Sequence, residues 1–362
     1  MTPEQQARAA RLHRDSLVVD ALNNPFGITD FADIMDYLRR GGVHALHVTM
    51  MEMVPQPWSW AVTLQAIATW SGRCHRYPDQ VTLATQVQQI RQARAQGQVA
   101  LVFGLQNTEC LERDLSRLDL LYGLGVRIVQ LTYNERNLVG DGYLERVDAG
   151  LSDFGLQVVR RLNQLRILVD VSHCGPATTL DAVEASSAPV AATHTGAKAI
   201  YPHPRNKSDE ELKAIAASGG VIGILAYPLF LRQEGEDSIE DVLDHLDHVV
   251  ELVGADHVGI GHDNFRHGSP QDFRANEAAG IATGMERVAR KMPPERMFSR
   301  QRWDNRPLLR LRGFEDIAGW PNLTAGLVRR GYNDEEIGKI LGENWLRLWG
   351  QVWENGTSSE GA

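Results

Sequence analysis

The chain has 362 residues, 43% hydrophobic and 23% charged, enough apolar material for a large core and too much for a disordered polymer. Its formal net charge of −9, with Lys and Arg spread along the chain, argues against a nucleic-acid or anionic-membrane partner and leaves small molecules as the default ligand class. Cys74, Cys110 and Cys174 show neither CxxC nor zinc-ribbon spacing, so neither a disulfide frame nor a structural zinc site is expected.

The N-terminal segment MTPEQQARAARLHRDS has no apolar h-region and no stretch reaches the length of a membrane span, so the expected location is cytoplasmic. Eight short apolar runs follow, at 17–21, 45–50, 99–104, 127–132, 166–172, 190–194, 221–226 and 257–262. Amphipathic segments of helical period lie between them. One begins with the capping box Ser208-x-x-Glu211 and ends at Gly219-Gly220. The clearest has Ser238 as N-cap and the stripe Ile239, Val242, Leu243, Leu246, Val249 and Val250. Strand and helix repeated eight times predict an α/β protein, a single (β/α)8 barrel over 1–362. The spacing between the second and third runs exceeds one helix, and Trp58, Trp60 and Trp70 near it are expected in the core or on a dimer face. Residues 268–330 read as a polar insertion after the eighth strand. A terminal helix over 334–350, with Ile337, Ile340, Leu341, Trp345 and Leu348 on one face, is expected to close the outer layer; 351–362 reads as a flexible polar tail.

Two consecutive runs, in ILVDVSHCG and PVAATHTGA, each stop on a histidine, His173 and His194. Parallel strands end their buried course at the edge where α/β proteins bind ligands, so the two imidazoles form a candidate metal or proton-transfer site. Around the same mouth the barrel would gather Leu22, Asn23 and Asn24 after the first strand and Gln106 after the third. Tyr133, Tyr227 and Asp263 would follow the fourth, seventh and eighth.

These residues sit in segments that resemble the membrane (renal) dipeptidase family: LVDVSHCG, ATHTGA, YPHPRNKSDEEL, GGVIGI, LDHVVELVGADHVGIGHD and GYNDEEIGKILGENWLRL. The resemblance covers nearly the whole chain and implies a zinc-dependent hydrolase barrel and a homodimer. Family members hold two zinc ions with a His-x-Asp pair, a bridging Glu, two His and an Asp. His173, His194 and Asp263 match the last three. The His-x-Asp pair falls on Leu22 and Asn24, the bridging Glu on Gln106, and a further substrate-contacting His on Tyr133. Two divalent ions with one remaining carboxylate would leave a large uncompensated charge, so at most one zinc is expected, on His173, His194 and Asp263, with none as the alternative. His47, Asp20 and His262 are potential replacement ligands, but a structural role or a position facing the helices is the expectation for each.

The resulting expectation is a divergent dipeptidase-like amidohydrolase acting on a small carboxylated amide. Asp263, Tyr133, His173 and His194 would be catalytic, with Tyr133 donating to the developing oxyanion. Arg205 matches the family Arg that holds a free carboxylate, its alternative being a pair with Asp209; Tyr227, Gln106 and Asn24 would complete substrate binding. Two other readings stay open: a metal-independent lyase, isomerase or tailoring enzyme on an amino-acid-derived metabolite, and an inactive binding protein that keeps the fold.

Overall fold

A computed structural model describes residues 1–23, 25, 30–51, 58–263 and 311–354. Its strands are β1 (Val19–Asn23), β2 (Ala45–Thr49), β3 (Val81–Leu83), β4 (Val99–Leu105), β5 (Val126–Gln130), β6 (Leu168–Asp170), β7 (Val190–Thr195), β8 (Ile222–Ile224) and β9 (Val258–Ile260). They pair in parallel in the order β1-β2-β4-β5-β6-β7-β8-β9, a nearly closed barrel. Each of the eight apolar runs supplies one of these strands. The long second spacer adds helix α3 (Trp60–Arg76), the short strand β3 and helix α4 (Val87–Ala95), and β3 pairs with β4 off the barrel path.

The helical layer also contains α1 (Pro3–Asp15), α2 (Phe31–Arg40), α5 (Ser116–Gly123), α6 (Asp153–Gln164), α7 (Pro176–Ala185), α8 (Asp209–Ala217) and α9 (Ile239–Val253). The Ser208–Glu211 capping box forms and opens α8, and the expected N-cap Ser238 opens α9, where the structure adds a box with Asp241. Residues 311–330, placed by the sequence reading in the insertion, are part of the frame. Arg312 bridges to Ser238, and α10 (Trp320–Arg330) packs on α1 and α9. Among the described residues no helix is long and apolar enough to cross a membrane.

Alternation along the strands divides the core in two. Leu46, Val48, Leu101, Phe103, Val169, Ile222 and Ile224 pack outward with the helices. Val19, Ala21, Ala45, Ala100, Val102, Ile128, Leu168 and Ala191 form a separate inner cluster with Trp345, Trp349 and Trp353. The terminal segment therefore corrects the expectation of an outer-layer helix. It is broken into α11 (Asp334–Gly338), a π-helical turn and α12 (Asn344–Trp353), and its apolar stripe is shared: Ile337, Ile340 and Leu341 join the outer core, Trp345 and Leu348 the inner one. Small residues on the strands make this possible. A Cβ on Gly259 would run into the Trp345 indole, and one on Gly223 would meet the Thr193 carbonyl and press on the edge of the same ring, so Gly259 above all admits it.

The seam between β9 and β1 is closed without a regular ladder. The Asp263 N–H donates to the Leu22 carbonyl at 3.0 Å, and the Asp20 carboxylate accepts from the His262 N–H at 2.8 Å and from Asn23 Nδ2 at 2.8 Å. Asp20 is thus a structural clasp, as expected. His262 also conforms to its expectation, with its ring 4.1 Å from Phe314 among the outer elements.

Burial pushes the Asp20 carboxyl from its usual 3.8 up to about 7, against the hydrogen bonds that favour the anion. A raised folded-state value means the unfolded chain loses this proton first. The Asp20 contribution therefore leaves stability highest below about pH 4, lowers it as pH rises towards 7, and is constant above that. Asp20→Asn should gain stability relative to the unsubstituted chain between pH 4.5 and pH 7.5, by up to a few kcal/mol at about 1.4 kcal/mol per tenfold step. Urea unfolding at the two pH values measures this; an equal difference at both would show that Asp20 does not titrate with folding.

Candidate functional site

β6 and β7 deliver the two histidines as the sequence implies. His173 and His194 are both buried, and their Nε2 atoms face each other at 2.9 Å. Their other nitrogens are occupied. His173 Nδ1 is 2.6 Å from Asn134 Oδ1, on a residue whose φ of +58° Asn tolerates better than most side chains. His194 Nδ1 is 2.8 Å from Thr193 Oγ1.

Proton accounting assigns the tautomers. Asp170 is wholly buried inside the barrel and accepts from Ser172 N at 2.9 Å, Ser172 Oγ, Thr193 N at 3.1 Å and Thr193 Oγ1 at 2.5 Å. With Asp170 ionised, the Thr193 hydroxyl donates to it and Thr193 Oγ1 is left to accept from His194 Nδ1–H. In that state, with Asn134 Oδ1 accepting from His173 Nδ1–H, neither Nε2 atom carries a proton. Gln106 adds an amide donor, its Nε2 lying 3.3 Å from His194 Nε2. Two such nitrogens repel unless a cation lies between them, and tetrahedral zinc wants its nitrogens only about 2.0–2.1 Å from the metal. The donor set therefore fits a metal ion held by the two Nε2 atoms after a small opening of the pair.

Arg205 lies immediately behind. It is 1% exposed; Nη1 donates to the Ser172 carbonyl and Nη2 to the His194 carbonyl, both at 2.6 Å, while Nε–H has no partner among the described residues. The guanidinium thus fastens the ends of β6 and β7 together and keeps its buried Nε–H unused among the described residues. Asp209, its expected alternative partner, instead faces His248 at 2.8 Å. Burial, then Arg205, depress both site imidazoles well below 6.5, so they are neutral at neutral pH. Asp263, partly exposed at the mouth with φ +55°, is raised to about 7 by burial although Arg205 draws it down.

Among the described residues, no group of three or more His, Cys, Asp or Glu side chains stands close enough together to hold a metal ion, so Asp263 is not drawn in beside the two imidazoles. Leu22 is buried apolar and Asn24 lies outside the described residues. His47 has a structural contact inside the barrel: its ring lies against Gly104 and Nδ1–H donates to the Ala21 carbonyl at 2.5 Å. Tyr133 stacks on His173 at 4.3 Å and touches Trp58 at 4.9 Å, which places Trp58 beside the site. Burial raises the Tyr133 and Tyr143 phenols, so both remain O–H donors. Tyr227 stacks on Phe230 at 5.5 Å.

The sequence reading did not single out Asp170, Thr193 and Asn134. Asp170 had a signal: an ionisable residue in the middle of the apolar strand LVDVS faces a large desolvation cost unless hydrogen bonds satisfy it. Asn134 had none, because its role depends on a loop folding back over β6.

Comparison with known proteins places this geometry in context. The family model described as membrane dipeptidase (Peptidase family M19) matches residues 6–275 and 303–361. Dipeptidase tcpJ of Claviceps purpurea is 28% identical over 302 residues, 83% of this chain and 62% of that protein, so the match spans less than two thirds of that relative's length. An amidohydrolase from Pseudomonas aeruginosa superposes with a TM-score of 0.81 at 31% identity, covering 95% of this chain and 99% of its own. The probable dipeptidase PvdM from Pseudomonas aeruginosa shares the fold with a TM-score of 0.78 at 23% identity, covering 98% of this chain and 100% of its own.

The Asp170–Thr193–His194 chain of hydrogen bonds fixes the imidazole orientation that a metal would meet. Asp170→Asn should therefore weaken zinc binding by about ten- to a hundredfold while the far-ultraviolet dichroism stays native. Competition against a chromophoric chelator reads the affinity, and an unchanged value would refute the orienting role.

Proposed function

The chain belongs to the membrane dipeptidase family, Peptidase family M19, and from that membership we propose that it is a divergent dipeptidase-like amidohydrolase that cleaves a small carboxylated amide using at most one zinc ion. The observation that carries this reading is the pair of Nε2 atoms on His173 and His194, 2.9 Å apart, near buried Arg205, whose Nε–H no described residue accepts. A metal site with a carboxylate anchor near it is what hydrolysis of an amide with a free carboxylate requires.

His173 and His194 would hold the ion, which when bound supplies Lewis acidity and an acidified water. The remaining work falls to this chain's own groups. Asp263, with its carboxyl near 7, can take a proton at neutral pH and return it to the departing amine. Tyr133 keeps its proton and donates a hydrogen bond towards the carbonyl oxygen as negative charge develops there. Arg205 pairs with the free carboxylate, its planar fork staying charged at any working pH. Leu22 in place of a ligand and Gln106 in place of a bridging carboxylate argue for one ion, because a second would lack compensating charge.

Elemental analysis of protein purified without chelator should find no more than one zinc per chain, and His173→Ala should remove it; two tightly held ions would overturn the charge argument. Arg205 is tested with a carboxylate ligand and its amide analogue. Arg205→Ala should lose about 1.5–3 kcal/mol, or roughly ten- to a hundredfold, for the carboxylate alone, and Arg205→Lys should recover part of it. The amide analogue corrects for slackening of β6 and β7, and an intact carboxylate preference in Arg205→Ala would remove Arg205 from the anchor role.

A further inference from the structure

The turn after β8 lies against the Arg205 loop, and its contacts bear on which substrates fit. Phe230 and Tyr227 are both partly exposed, and their rings stack at 5.5 Å with 30° between planes. The Phe230 ring centre is 5.9 Å from Arg205 Cζ. The two loops are joined rigidly: Asn206 Nδ2 donates to the Phe230 carbonyl at 2.9 Å and to the Tyr201 carbonyl at 3.0 Å. The buried His203 ring packs on Phe230 at 5.0 Å, while its Nδ1 accepts from the Arg205 N–H at 3.0 Å. Anchor and aromatic wall are therefore a single unit, held by contacts on both sides of Arg205.

We propose that the Phe230–Tyr227 wall selects the residue that carries the substrate's carboxylate, favouring a flat apolar side chain there. This rests on Arg205 serving as the carboxylate anchor in the proposed function. A carboxylate that accepts from the Arg205 Nε–H holds its own α-carbon close to the guanidinium, so the substituent on that carbon emerges next to Phe230. An aromatic group there buries apolar area and gains an offset ring contact. A cationic side chain would be repelled by the buried Arg205 charge, and an acidic one would lose hydration against two rings. A methyl group is too short to cover them.

The test is direct binding to the purified full chain by calorimetry, with glycyl-phenylalanine, glycyl-alanine and glycyl-lysine, each as both enantiomers at the second residue. Turnover of the same compounds is followed in parallel. One enantiomer of glycyl-phenylalanine should bind about tenfold or more tightly than either enantiomer of the other two, the scale of a well-filled apolar contact. Phe230→Ala should abolish that preference, and Phe230→Leu, which keeps apolar bulk, should retain part of it and covers the case in which the alanine variant does not fold. Equal affinities for the three compounds, no binding of any, or a preference that survives in both variants would overturn the proposal. Preferential binding without turnover would leave it standing and count against the hydrolase reading; turnover without preference would do the reverse.

Discussion

A buried guanidinium holds the functional end of this barrel together. Arg205 donates to the carbonyl that precedes His173 and to that of His194 itself, so one side chain sets the separation of the two strand ends. Its charge also acts through space, depressing both imidazoles and drawing Asp263 down against the effect of burial. An isolated cation in that position would be prohibitively costly to desolvate. It is tolerated because carbonyl dipoles meet it directly and the Asp170 and Asp263 carboxyl groups lie within electrostatic reach.

The interior above and below this level follows two different physical rules. Towards the N-terminal ends of the strands, alanine and glycine leave a hollow that the Trp345, Trp349 and Trp353 rings fill, giving an apolar inner core. Towards the C-terminal ends, side chains become polar: Gln130, Asp170, Thr193 and Gln106 form hydrogen bonds to one another's elements or to the histidines. The loop beyond β7 continues the same logic, with Lys207 and Glu211 paired at 3.0 Å and both about 2% exposed. Lys207 also donates to the Cys174 carbonyl at 2.7 Å and to Thr179 Oγ1 at 2.6 Å, tying the loop that carries Arg205 to the start of α7. Paired and fully hydrogen-bonded, such a buried charge contributes rigidity more than net stability.

Much of this was legible in the residues. Buried parallel strands read as continuous apolar runs, so the eight barrel strands could be found without help, as could α8 and α9 from their caps and stripes. The histidine pair was legible too, because strand ends in a barrel share one mouth. The third strand escaped notice: Val81–Leu83 has only three residues and borrows its stability from β4. The destination of the terminal helix was equally hidden. Its apolar stripe shows that one face is buried, yet nothing in a stripe distinguishes packing outside a barrel from plugging its end.

The sequence alone determined the barrel and the two histidines at its mouth, since identities and periodicities are local properties of the chain, and its family resemblance identified the single matching carboxylate and the Leu22 and Gln106 that stand where the family has a His and a Glu ligand. Only the tertiary structure decided how those groups work. That the Nε2 atoms turn towards each other follows from Asn134 and Thr193 engaging the opposite nitrogens, and that the Arg205 Nε–H is left over follows from Nη1 and Nη2 being held by two carbonyls. These are outcomes of hydrogen-bond satisfaction among residues up to 39 positions apart in the His173–Asn134 pair. A proton can be assigned only when every competing acceptor is in place, and that requires the folded chain.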